Sequence, residues 1–78
     1  MSEDESGSQL LIRLFEHTLS EDPKIRAAAY RALGNFEPEM SVISCLLNGL
    51  EDTDPHARRA AGASLIKFGY FNRTAMAM

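Results

Sequence analysis

Residues 22–34 read DPKIRAAAYRALG and residues 54–66 read DPHARRAAGASLI, so one phrase recurs at a spacing of 54 − 22 = 32 positions. The same shift places Leu11 on Ile43, Leu14 on Leu46, Phe15 on Leu47, Arg26 on Arg58, Leu33 on Leu65 and Phe36 on Phe68. A match that runs through two apolar stripes and the turn between them is an internal repeat. Periods of about 20–50 residues mark solenoids, whose units cannot bury their apolar faces alone and stack on their neighbours. The chain has 78 residues, enough for one small domain with a marginal core.

Each unit reads as two helices. Leu11, Leu14, Phe15, Thr18 and Leu19 fall at helical offsets and form one stripe. Asp22 then supplies an N-cap and Pro23 a first helical residue whose missing N–H costs nothing. The second stripe is Ile25, Ala28, Ala29, Ala32, Leu33 and Phe36, and Gly34-Asn35 is the expected stop, through the left-handed conformation both residues tolerate. A third helix is expected from Pro38, with Ile43, Leu46, Leu47 and Leu50 as its stripe. The fourth opens on Asp54-Pro55, buries Ala57, Ala60, Ala61, Ser64, Leu65 and Phe68, and stops at Gly69. Leu10, Ile12 and Val42 widen the apolar arcs beyond these stripes. No segment alternates with the period of a strand, so the expected fold is all-α.

The spelling has a packing reason. Paired alanines let neighbouring helix axes approach closely while keeping high helix propensity. Asp22 and Arg26, like Asp54 and Arg58, lie one turn apart, so each carboxylate is expected to cap its helix and to pair with its own arginine. These four residues are read as structural.

A leucine-rich first helix followed by Asp-Pro-x-x-Arg-x-Ala-Ala and then Ala-Leu-Gly resembles HEAT repeats, and most closely the short HEAT-like variety of phycobiliprotein (bilin) lyases. The resemblance covers about residues 9–69 as two units, 9–36 and 38–69, and implies two helical hairpins stacked as a short right-handed α-solenoid. It implies that the second helices line a concave binding surface, and that acid and arginine positions form a ladder between units, here with a single rung. His56-Ala57, Gly62 and Ser64 depart from the pattern and weaken the second unit. Functionally the resemblance reaches only a class, because a fold hosts many activities.

Residues 1–8 are acidic and polar and are expected to form a solvated tail; residues 70–78, with Tyr70, Phe71, Met76 and Met78, form an apolar C-terminal tail suited to docking or to covering the core. Glu3, Asp4 and Glu5 account for the net charge of −3, since residues 10–78 hold eight acids and eight bases. That neutral balance argues against nucleic acid as a partner. No window is apolar enough to span a membrane, which needs roughly 18 residues. The polar start is neither a secretory signal nor a transit peptide, and the single Cys45 suits a reducing compartment, so a cytoplasmic location is expected.

Seven of the eight bases lie on or after the second helices. Lys24, Arg31, Arg59 and Lys67, with the off-stripe Tyr30 and Ile66 and the tail residues Tyr70 and Phe71, are the expected protein-binding surface, suited to an acidic partner segment. No catalytic or metal-ligating pattern accompanies them. His17 and His56 stand alone, Cys45 has no basic neighbour in sequence, and no glycine loop could cradle a phosphate; no cofactor is expected. The expected function is a non-catalytic adaptor, scaffold or assembly factor. The alternative implied by the repeat variety is an accessory subunit or chaperone of bilin attachment or detachment on phycobiliproteins, in the setting of a phycobilisome. Two units are fewer than the three or so that a solenoid needs, so another copy, a larger complex or the tail is expected to complete its ends.

Overall fold

The computed structural model describes residues 3–70, with side chains from Gly7 onward. Four helices follow one another: α1 Glu3–His17, α2 Pro23–Leu33, α3 Met40–Gly49 and α4 Pro55–Lys67. No strand occurs among the described residues. α1 packs on α2 and α3 on α4, giving two hairpins, and the hairpins join chiefly through α2 against α4. The result is a flat body with extents of 45 × 28 × 14 Å. The structure is the short all-α solenoid of stacked hairpins that the repeat requires.

Both Asp-Pro phrases do the local work expected of them. Asp22 accepts from the amide of Lys24 at 2.9 Å and Asp54 from that of Ala57 at 3.0 Å, each just ahead of its helix. The turns before them are also built alike. Ser20 Oγ accepts from the Asp22 amide at 3.1 Å, and Asp52 Oδ1 accepts from the Asp54 amide at 2.9 Å, 32 positions later. Gly69, the expected stop, ends the last turn in the left-handed conformation, with φ 76.

Three local expectations are revised. α1 begins at Glu3, within the stretch 1–8 read as a solvated tail. A helix propagates backward from its apolar part at one hydrogen bond per residue, and an acidic sequence suits the positive end of its dipole. α3 starts at Met40, two residues after Pro38, with Glu39 as an N-cap that makes no side-chain bond. Gly34 has φ −65, an ordinary right-handed value, so its role is not to reverse the chain. A Cβ there would lie 2.4 Å from Ser64 Oγ and 2.8 Å from Ser64 Cβ. Glycine is present because α4 comes that close.

The core comprises Ala27, Tyr30, Leu33, Val42, Leu46, Ala57, Ala60, Ala61 and Leu65, with Leu11, Leu14, Phe15, Ile43 and Leu47 packed around it. The α4 stripe is buried as expected, from Ala57 at 0% exposure through Leu65 at 0%. The α2 stripe is rotated. Ile25 is 42% exposed and Ala28 is exposed, while Ala27 and Tyr30 are buried in their place. The two helices use different faces because each contacts the other: α4 presents the side that looks back to the first hairpin, α2 the side that looks forward. The face of α2 equivalent to the buried stripe of α4 would be covered only by a preceding unit. Leu19 at 83% exposure, Leu10 at 52% and Ile12 at 57% likewise lie outside the core.

The candidate protein-binding groove and the joint beneath it

The joint between hairpins is organised by a residue the sequence reading passed over. Arg26 Nε and Nη2 donate to separate carboxylate oxygens of Asp52, each at 2.9 Å. Arg26 Nη1 also donates to the carbonyls of Ser20 at 2.9 Å and Glu21 at 3.1 Å, which fixes the guanidinium plane. Asp52 further accepts from Tyr30 Oη at 3.2 Å. The expected pairing of Arg26 with Asp22 is therefore corrected. Asp22 is taken up as a cap, and the two-pronged guanidinium meets a carboxylate from the next hairpin that matches its fork. Arg58 does not pair with Asp54 either; its Nη1 donates to the Asp52 carbonyl at 2.7 Å. The single rung implied by the resemblance is Arg26–Asp52, the one ion pair among the described residues.

Burial and hydrogen bonding shift the groups in this joint. The Arg26 hydrogen bonds hold the Asp52 carboxyl down to about 2, helped by the Asp54 amide and Tyr30 hydroxyl. Burial, then the neighbouring Asp52 charge, pushes the Tyr30 phenol up to about 12. The same carboxylate raises Arg26 through its hydrogen bonds. Cys45 is raised by burial and its thiol lies 3.7 Å from Thr18 Oγ1, the environment of an inert packing thiol.

Tyr30 is thus corrected from surface to core. It is 4% exposed, and its ring covers Gly49, where a Cβ would lie 2.8 Å from the ring edge. Its carbonyl, among the last four of α2 and so without a full helical partner, accepts from Ser64 Oγ at 2.7 Å. Tyr70 is half-buried against the core and is no longer a free contact residue. Phe71 lies outside the described residues.

The remaining candidates stay at the surface, and two of them converge. Lys24, the second residue of α2, and Arg31, about two turns further on, line a groove of about 370 Å³ with Pro23, Ala27, Asp54 and His56. Both cations are exposed. Pro23 and Ala27 give the groove an apolar lining, and Asp54 is engaged with the start of α4. His56 is a lining residue that sequence reasoning left isolated. The signal was available, because the 32-residue shift places His56 beside Lys24. Lys67, the last residue of α4, donates to Asn35 Oδ1 in the turn after α2, again at that shift, so its ammonium helps hold that turn to α4. Arg59 and Ile66, the latter 62% exposed, are surface residues of α4 that do not line the groove. Among the described residues, no three His, Cys, Asp or Glu side chains are grouped as metal ligands, and no helix is long and apolar enough to cross a membrane.

No curated protein and no solved structure matches the chain. The family model for HEAT repeats matches residues 8–77, nearly the whole length. Repeat period, stacked hairpins and family match agree, and the chain belongs to the HEAT repeat family.

Proposed function

We propose that the protein is a non-catalytic interaction module, an adaptor, scaffold or assembly factor, that receives an acidic segment of a partner protein in the groove between α2 and α4. HEAT repeats generally mediate protein–protein interaction and are typically non-catalytic. The observation that supports the groove is the convergence of Lys24 and Arg31 with His56 around an apolar floor. Two cations without an ion-pair partner among the described residues, beside short apolar side chains, offer a carboxylate-bearing chain both charge and contact. Arg59 and Ile66 extend the reading to the outer part of α4.

The test is capture of partner proteins on the immobilised full chain, wild type against Lys24→Glu/Arg31→Glu, with far-UV circular dichroism melts on both. Binding should be lost in the variant, and weakened by salt in the wild type, while the melts stay alike. Capture that survives charge reversal would sink the groove. Absorbance of free bilin mixed with the chain separates the bilin-related role, which calls for a spectral change that the adaptor reading does not.

A further inference from the structure

The internal joint is a template for what the two ends of the body lack among the described residues. Arg26 and Arg58 share an anchor, each donating through Nη1 to the carbonyl six residues earlier, Ser20 for one and Asp52 for the other. The rest of the Arg26 fork is taken by Asp52 of the following hairpin. The other donors of Arg58, which is exposed, meet no carboxylate among the described residues. With Arg59, Gly62 and Ile66 it forms a half-joint, in register with Arg26, Ala27, Tyr30 and Gly34. At the other end, Ser20, Ile25, Ala28 and Ala32 stand in register with Asp52, Ala57, Ala60 and Ser64. Ile25 is 42% exposed where Ala57 is 0% exposed, so this is the complementary half-joint, not covered by the described residues.

We infer that the end carrying Arg58 receives the Ser20–Ala32 face of a second copy of this chain, head to tail, so that the copies continue one solenoid. This goes beyond the α2–α4 groove, which such stacking leaves open. Charge selects the pairing. One end presents Arg58 and Arg59, and the turn at the other presents Glu21 and Asp22 next to Ser20. Like ends would oppose like charges, whereas unlike ends bring Glu21 and Asp22 near Arg58 and Arg59, with the Ser20 hydroxyl rather than a carboxylate at the place of Asp52. Size agrees at the centre. Inside the chain the Tyr30 ring fills the space over Gly49, and the register counterparts exchange large for small, Gly62 against the exposed His17. Ile66 stands where Gly34 stands, and a Cβ at Gly34 would already lie 2.8 Å from Ser64 Cβ. Ala32, in the place of Ser64, removes only the hydroxyl, so the joint between copies is wider there and weaker than the internal one. A head-to-tail contact that does not close on itself grows without a fixed end point.

Sedimentation velocity of the full chain, in a concentration series up to about 1 mM, tests this. The sedimentation coefficient should rise with concentration past the dimer, and less so in high salt. Arg58→Glu and Ala28→Glu each disable one end, and each alone should remain monomeric. Mixed in equal amounts, they retain one intact joint and should form a species that stops at the dimer. Ile66→Glu serves as a second variant of the Arg58 end, and circular dichroism confirms that each variant is folded. A wild type that stays monomeric throughout overturns the inference, whether the tail or a foreign partner covers the end. Self-association of either variant alone, as strong as that of the wild type, overturns it too, because it means that like ends pair.

Discussion

Arg26 and Asp52, 26 residues apart, share two parallel hydrogen bonds of 2.9 Å, and they join the first hairpin to the turn of the second. The Asp52 side chain is only 5% exposed, so removing it leaves a desolvated guanidinium and a phenol without their acceptor. Asp52→Ala should cost about 2–3 kcal/mol. Asp22→Ala, which removes only a cap bond, should cost about 1 kcal/mol. Urea melts of the two variants compare them directly, and equal losses would show that the Arg26–Asp52 pair contributes no more than a cap.

The same pair makes stability fall in acid. Asp52 titrates at about 2 in the folded chain against 3.8 ordinarily, so its contribution is complete above about pH 4 and disappears as pH falls towards 2. Melting temperature between pH 6 and pH 2 should drop more steeply for the wild type than for Asp52→Asn.

Tyr30 works at the opposite end of the scale. Its folded value of about 12 lies above the ordinary 10.0, so burial of the neutral phenol contributes stability below pH 10 that is lost as pH rises towards 12. In a Tyr70→Phe background Tyr30 is the sole tyrosine, and tyrosinate absorbance should appear only near the top of that range or on unfolding.

Glycines divide by what surrounds them. A Cβ at Gly49 would lie 2.8 Å from both Ala61 Cβ and the Tyr30 ring, so Gly49→Ala should destabilise by about 1–3 kcal/mol through overpacking. At Gly62 the nearest atom is Leu50 Cδ2 at 3.6 Å. Gly62→Ala should therefore gain up to about 1 kcal/mol of helix propensity. Opposite signs in thermal melts are the expected outcome.

Ser64 ties α4 to the end of α2 through the buried Tyr30 carbonyl. Ser64→Ala should lower stability by about 1–2 kcal/mol, although it swaps one small residue for another on a helix. Hydrogen exchange should show the last turn of α2 opening more readily in the variant.

Periodicity, caps and the 32-residue repeat are local properties, and from them the sequence by itself determined four helices, their pairing into two hairpins and the buried stripe of α4 from Ala57 to Leu65. Each follows from spacing along one helix or from a turn whose chemistry is complete within a few residues. Tertiary structure decided what depends on which neighbour is present. α2 turned its Ala27–Tyr30 side inward because that side meets the following hairpin, leaving Ile25 and Ala28 exposed among the described residues. Arg26 took Asp52 over the Asp one turn away, because a cap carboxylate already engaged with amides cannot also meet the guanidinium fork face on. Spacing along a chain can show that an arginine and an acid are near each other; the angle at which two hairpins stack fixes which acid the arginine meets.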